Sequence, residues 1–262
     1  MIPAKRQERI IEILKISGSA AIPELAERLE CSPMTVRRDI ELLVSKNLVT
    51  STYGGVSINR DLKTERRYDA RAERDIEAKK KIATAAVGLV KSGDTLMLDA
   101  GTTTFYLAEL ICDIEGITVI TPDLRIALEL SCSNVKTYIP GGKIQNETGC
   151  VISDPASEFI RSISVDIAFI GMSGISRQFM MHTPTLEKAK FKRYFLENSE
   201  KAVLLADGNK FGRQSFFKVG PLSALNHLVT DKKFSTEELE TLHSLSENHD
   251  FLIDANLTTG GF

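Results

Sequence analysis

From about residue 82 onward, short β-branched runs alternate with helical patterns, and no other feature restricts the fold as strongly. The runs are Thr95-Leu96-Met97-Leu98, Thr118-Val119-Ile120, Val135-Lys136-Thr137-Tyr138-Ile139, Ile167-Ala168-Phe169-Ile170, Ala202-Val203-Leu204-Leu205 and Phe251-Leu252-Ile253. Strands separated by helices build βαβ units on a largely parallel sheet. Upstream the texture changes. Residues 1–50 read as helices, and residues 59–81 are almost continuously charged, ending in Lys79-Lys80-Lys81. The expected architecture is multidomain α+β: a small helical domain over 1–58, a charged linker or helix over 59–81, and an α/β domain over 82–262.

In the front domain, Ile10, Ile13, Leu14 and Ile16 line one face of a first helix, broken at Gly18. Ile22, Leu25, Ala26 and Leu29 do the same for a short second helix, which tolerates Pro23 in its first turn. After a brief turn at Glu30-Cys31, Ser32 is placed as an N-cap and Pro33 as the first residue of a third helix, with Val36, Ile40 and Leu43 as its buried stripe. Three short helices with a tight turn before the third form the helix-turn-helix pattern. Two β-prone runs around Gly54-Gly55 add a wing. The first turns of the third helix would lie nearest the bases, so Ser32, Met34, Thr35, Arg37 and Arg38 are the expected contacts to double-stranded DNA. A guanidinium matches guanine O6 and N7, and the helix amino terminus offers N–H groups to a phosphate. Tyr53 is the expected contact from the wing. Asp39 is expected to pair with a nearby Arg, because a carboxylate facing phosphates would be costly.

Charge agrees with this division. The chain holds 33 Lys+Arg and 35 Asp+Glu, net −2, yet residues 1–81 carry 17 and 13 while residues 82–262 carry 16 and 22. A basic front and an acidic back suit a protein in which only the front meets a polyanion. No apolar stretch approaches the roughly 18 residues of a membrane span. The first apolar run, Ile10-Ile11-Glu12-Ile13-Leu14, is interrupted by an acid and is unlike a signal peptide. Cys31, Cys112, Cys132 and Cys150 are scattered without a C-x-x-C, the usage of reduced thiols rather than a disulfide framework or a zinc site. A cytoplasmic protein with no membrane partner and no metal is expected.

Arg6-x-x-x-Ile10-x-x-x-Leu14, Ser32-Pro33-Met34-Thr35-Val36-Arg37-Arg38-Asp39-Ile40 and Tyr53-Gly54-Gly55-Val56 together resemble the DNA-binding signature of the DeoR family of bacterial regulators of sugar metabolism. Four later segments resemble that family's sensor motifs, in order. They are Asp99-Ala100-Gly101-Thr102-Thr103-Thr104, Pro140-Gly141-Gly142-Lys143, Phe169-Ile170-Gly171-Met172-Ser173-Gly174-Ile175 and Asp207-Gly208-Asn209-Lys210-Phe211-Gly212. The resemblance implies a winged helix-turn-helix followed by an α/β sensor similar in fold to ribose-5-phosphate isomerases. It also implies a transcriptional repressor released from its operator by a phosphorylated sugar or related metabolite. The chain departs from the family pattern at Ser176, Met180 and His182, and at Thr121-Pro122-Asp123, where the family tends to have Thr-Asn-Ser. These departures bear on which effector is bound.

Each of the four sensor motifs follows a strand, and such loops meet at a crevice where open α/β sheets bind ligands. Gly101, Thr102, Thr103 and Thr104 open a helix and supply N–H groups and hydroxyls for a phosphate. Gly141, Gly142, Lys143, Gly171, Ser173 and Gly174 are expected to line the crevice. Asp99 and Asp207 can accept from sugar hydroxyls, and Lys210 can supply countercharge. The resemblance carries Lys192 to the same role through the spacing of Thr183-Pro184, Glu187 and Lys192-Arg193. His182 is a further candidate contact. None of these loops is a dinucleotide fingerprint or a Walker A loop, so no cofactor is expected.

The alternative is a sugar-phosphate isomerase-like enzyme with an appended DNA-binding domain. Such chemistry needs a positioned general base, and the loop Gly171 to Ser176 contains no acid. A regulator that is not an enzyme is the expectation. One short recognition helix reads too few base pairs to select a genomic site, so a homo-oligomer, dimer or tetramer, is expected as well.

Overall fold

A computed structural model of the chain describes residues 3–17, 19–45, 49–52, 55–58, 67–245 and 251–257. The chain divides into two compact units, Met1–Thr64 and Glu65–Phe262.

The first unit runs α1 (Pro3–Ser17), β1 (Ser19–Ala21), α2 (Ile22–Arg28), α3 (Pro33–Ser45), β2 (Val49–Thr52) and β3 (Gly55–Ile58). Its core is the stripe expected from helical spacing: Ile10 and Leu14 of α1, Leu25 and Ala26 of α2, and Val36, Ile40 and Leu43 of α3. The turn between α2 and α3 is closed by the Cys31 N–H donating to the Ala26 carbonyl at 3.0 Å, with Glu30 in the left-handed region at φ 51°. The wing is a three-stranded antiparallel sheet in the order β1-β3-β2, pairing Ala20 and Ser51 with Val56. The third strand, β1, was not anticipated. Ser19-Ala20-Ala21 has no β-branched residue, and only pairing with β3 makes it a strand.

The second unit begins with α4 (Tyr68–Ala72) and α5 (Ile76–Val87). Then come β4 (Thr95–Leu98), α6 (Thr102–Ile111), β5 (Thr118–Ile120), α7 (Leu124–Leu130) and β6 (Lys136–Tyr138). A short hairpin of β7 (Ile144–Gln145) and β8 (Cys150–Val151) precedes α8 (Asp154–Arg161) and β9 (Val165–Gly171). Next are β10 (Gly174–Ile175), β11 (Met180–Thr183), α9 (Leu186–Glu197), β12 (Ser199–Leu205) and β13 (Phe217–Pro221). The last elements are β14 (His227–Thr230), α10 (Thr236–Leu245) and β15 (Leu252–Asp254).

Seven strands form one parallel sheet in the order β15-β14-β12-β9-β4-β5-β6. Alternate residues of each strand feed two separate cores. Leu96, Leu98, Ile167, Phe169, Val203 and Leu205 pack under α5, α6 and α7, against Ile82, Leu107, Ile111 and Ile126. Met97, Ala168, Ile170, Ala202 and Leu204 pack on the other face, under α8 and α9, against Ile160, Phe191 and Phe195. Helices on both faces are the reason the strands are apolar throughout. Strands β10, β11 and β13 make a small antiparallel sheet beside the main one.

The charged stretch read as a linker is only partly outside this unit. Residues 59–66 lie outside the described residues, but residues 67–81 form α4 and the first half of α5. Helix α5 buries Ile82, Ala83 and Ala86 against the sheet and keeps its charges outward, except for one. Lys79 is buried, and its ammonium donates to the carbonyls of Arg71, Ala72 and Arg74, closing the end of α4.

The central strand β9 feeds both cores. Phe169 is fully buried on it, so Phe169→Ala should lower stability of the second unit by about 3–5 kcal/mol, read from denaturant unfolding.

Candidate nucleic-acid interface and effector crevice

Helix α3 of the first unit starts at Pro33, and the N–H of Thr35 donates to Ser32 Oγ at 3.2 Å, the N-cap expected from sequence. The Ser32 and Thr35 hydroxyls lie 2.8 Å apart and are bonded to each other. Met34, Arg37 and Arg38 are exposed, and Thr35 is half-buried. Asp39 turns the opposite way. It is 2% exposed and receives Arg6 Nε and Gln7 Nε2 from α1. That buried bond clamps α3 against α1, and Arg37 and Arg38 stay exposed, with no ion pair among the described residues. Tyr53 and Gly54 lie outside the described residues.

In the second unit the order of strands reverses between β4 and β9. Open sheets bind ligands at such a switch point, beyond the carboxyl ends of the strands. The residues there are Asp99, Gly101 and the threonines after β4, and Gly171 after β9. Asp99 organises them. One carboxylate oxygen accepts from the Ala100 N–H at 2.9 Å, and the other accepts from the Gly171 N–H at 3.0 Å and from Lys192 Nζ. Lys192 also donates to the Gly171 carbonyl at 2.6 Å. Lys192 and Asp99 are both buried, so each neutralises the other inside the protein.

Helix α6 begins immediately beyond this pair. Its cap residue, Gly101, has no side chain to bond the first turn, so the N–H groups there have no intrahelical acceptor. The Thr104 hydroxyl donates to the carbonyls of Asp99 and Gly101 and shapes the loop. Among the described residues no hydrogen bond occupies the side chains of Thr102 and Thr103.

The other expected contacts divide. Gly141, Gly142 and Lys143 follow the edge strand β6, two places from β4, and are exposed. Gly142 has a local reason to be glycine: its φ is +140°, and a Cβ would lie 1.9 Å from Ser153 Oγ. Ser173 and Gly174 enter the small sheet, with the Ser173 N–H donating to the His182 carbonyl and Gly174 pairing with His182. His182 is buried in β11, and its Nδ1 donates to the Ser215 carbonyl at 3.0 Å; burial holds its pKa below the ordinary imidazole value. Asp207 caps the 3-10 turn Gly208–Lys210 by accepting from the Asn209 N–H, and Lys210 lies 3.9 Å from its carboxylate.

The place next to β4 is taken by the loop after β5. Thr121, Pro122 and Asp123 pair with the β8 hairpin: the Val151 N–H donates to the Pro122 carbonyl at 2.7 Å, and the Leu124 N–H to the Gly149 carbonyl at 3.1 Å. This brings Cys150 into electrostatic reach of Lys188, Asp99, Asp123 and Lys192, and burial pushes its thiol up to about 12. Lys188 is buried one helical turn before Lys192, a spacing visible in the sequence. Asp123 is fully buried. One of its oxygens accepts from the Arg125 N–H at 2.9 Å and the other has no hydrogen-bond partner; burial raises its pKa above the ordinary carboxylate value. Tyr68 of α4 stacks on Arg125, 3.8 Å from guanidinium carbon to ring centre. The sequence reading passed over Tyr68 and Arg71, because it placed them in a linker.

A helix-turn-helix unit followed by a doubly wound α/β unit is the arrangement of a DNA-binding transcriptional regulator with a sensor domain. A profile described as DeoR-like helix-turn-helix domain matches residues 6–61, and one described as DeoR C terminal sensor domain matches residues 74–232. The protein belongs to the DeoR family. It is 34% identical over 88% of its length to an uncharacterised HTH-type transcriptional regulator of Haemophilus influenzae, covering 91% of that chain. It is 27% identical over 95% of its length to the glycerol-3-phosphate regulon repressor of Escherichia coli, covering 98% of it. Among solved structures, a D-ribose-5-phosphate isomerase in complex with phospho-erythronic acid is 15% identical, with a TM-score of 0.39, over 52% of this chain and 54% of that one. No helix among the described residues is long and apolar enough to cross a membrane.

The direction of the Asp123 shift has a consequence for stability. A carboxyl whose folded pKa lies above its unfolded value disfavours the folded state once it ionises, so stability is gained as pH falls through the folded pKa. Asp123→Asn keeps the acceptor for the Arg125 N–H and removes the charge. The variant should therefore melt above the wild type at neutral pH without ligand, with the difference shrinking toward acid pH in a thermal-shift series.

Proposed function

We propose that the protein is a cytoplasmic repressor that is not itself an enzyme. A homo-oligomer holds repeated operator half-sites through α3 and is released when a phosphorylated sugar or related polyol phosphate enters the crevice. The observation that carries this reading is the open first turn of α6, with Thr102 and Thr103 beside the Asp99–Lys192 pair at the switch point. An N-terminus with free N–H groups and hydroxyls, set in a low-dielectric crevice, favours a small anion. Arg37 and Arg38, with Met34 and Thr35, serve as the base-reading face. A relative named as the glycerol-3-phosphate regulon repressor supports a phosphate ester as the effector class. Release requires the effector to bind the two states of the oligomer unequally, by about 1–3 kcal/mol in typical cases.

An aldose–ketose isomerase would need a carboxylate free to take a proton. Asp99 is committed to two N–H groups and an ammonium, and Asp207 to a turn and Lys210, which supports regulation over catalysis.

Each bidentate contact from Arg to a base is worth about 1–3 kcal/mol of discrimination. Arg37→Ala or Arg38→Ala should abolish operator selection in a gel-retardation assay while calorimetric binding of the effector persists. Loss of both together would argue against the assignment. Thr103→Asp places a negative charge at the open turn and should leave operator binding unresponsive to inducer; normal induction in that variant would remove the threonine loop from the site.

A further inference from the structure

Two buried polar atoms of one cluster lack hydrogen-bond partners among the described residues: Nε of Arg71, a donor, and Oδ2 of Asp123, an acceptor. Both side chains belong to one cluster. Asp123 binds the Arg125 N–H, Arg125 stacks on Tyr68, and the Arg71 guanidinium lies 5.9 Å from the centre of the same ring. Arg125 is a fixed wall of that cluster. Its Nη1 donates to the Thr148 carbonyl at 2.9 Å, and Gly149 (φ +67°) makes room for it where a Cβ would stand 2.3 Å away. Tyr68 is fixed as well, by its N–H donating to the Glu147 carbonyl at 2.9 Å. Arg71 and Asp123 feel each other electrostatically, yet no hydrogen bond joins them.

Leaving a buried donor and a buried acceptor unmade is costly, and two opposite orphans in one cluster call for a group that satisfies both. A phosphate or a carboxylate offers only acceptors and would confront Asp123 with a second negative charge. An ammonium offers only donors and would confront Arg71. A hydroxyl donates to one and accepts from the other. We infer that Arg71 and Asp123 together seat a hydroxyl of the effector, at the end away from its phosphate. The effector is therefore a monophosphate ending in a neutral hydroxyl, and bisphosphates and phosphorylated acids are disfavoured. This rests on the phosphate site assigned to the α6 turn under the proposed function. Cys150 links the two ends: its backbone bridges to Asp123, and its thiol is within electrostatic reach of Asp99 and Lys192. Arg71 brings a further element to the ligand, because α4 is the first helix described after the DNA-binding unit, and Lys79 ties down its end.

The test is calorimetry on the full chain with matched pairs that differ only at the far end: glycerol 3-phosphate against 3-phosphoglycerate, erythritol 4-phosphate against 4-phosphoerythronate, and sorbitol 6-phosphate against 6-phosphogluconate. Inorganic phosphate serves as the reference. The tightest ligand should be an alcohol, preferred over its acid by about tenfold or more. Arg71→Gln and Asp123→Asn should each weaken that alcohol about tenfold, and Asp123→Asn should collapse its preference over the acid. Affinity for inorganic phosphate should not move. The melting temperature of each variant guards against misfolding, and Asp123→Asn is the variant expected to gain stability. Unchanged alcohol affinity in both variants means that an ordered water fills the gap, and overturns the inference. So does an acid that binds wild type more tightly than its alcohol. If inorganic phosphate binds and no alcohol binds better, the inference falls while the anion site stands. If nothing in the set binds, phosphate included, the proposed effector site falls first.

Discussion

The carboxylate of Asp99 joins the end of β4, the end of β9 and helix α9 through two backbone N–H groups and the Lys192 ammonium. It lies where the order of strands reverses, the place at which two βαβ halves diverge and leave a gap. An ion pair of this kind is expensive to bury and more expensive to break, since removing one partner strands the other charge in a low-dielectric interior. Its presence neutralises the Asp99 carboxylate beside the α6 turn. Under the proposed function, an incoming anion would meet the N–H groups and hydroxyls of that turn rather than a bare carboxylate.

From that pair outward the crevice grades in polarity. The α6 turn lacks a side-chain cap, Lys188 adds positive charge from α9, and Asp123 adds a buried carboxylate within electrostatic reach of Cys150. A ligand that suits this gradient is itself asymmetric, anionic at one end and hydroxylated at the other. Charge is divided at a larger scale as well. The basic front of the chain carries the arginines of α3, and the remainder is acidic, so a polyanion is drawn to the front.

Much of this was legible in the residues. The apolar periodicities of α1, α2 and α3 marked the core of the first unit, Ser32 marked a cap, and Asp39 was expected to find an arginine, which is Arg6. All six β-branched runs became strands of the main sheet. What misled was order in space. Gly141-Gly142-Lys143 has the composition of a ligand loop; its strand lies at the edge of the sheet, and it bonds the segment Ile152-Ser153, beside which Gly142 has no room for a Cβ. The loop after β5, Thr121 to Asp123, has no glycine and drew notice only as a departure from a family pattern.

Local spacing determines helix faces, caps and which runs can be strands, because those depend on neighbours within a few residues along the chain. It also determined that Arg37 and Arg38 share an exposed helix surface. The order of strands, by contrast, follows from how crossovers pack, and it alone decided that the ends of β4 and β9 adjoin, where Asp99 accepts from the Gly171 N–H, with β5 next and β6 at the edge. The same holds for residues 67–81. Their charge reads as solvated linker, yet Lys79 is buried under carbonyls that α4 turns toward it, and Arg71 comes to lie beside Asp123. The Lys79 bonds reach back only five to eight residues, but the influence of Arg71 on Asp123 crosses from α4 to the loop after β5, and no short-range pattern encodes that.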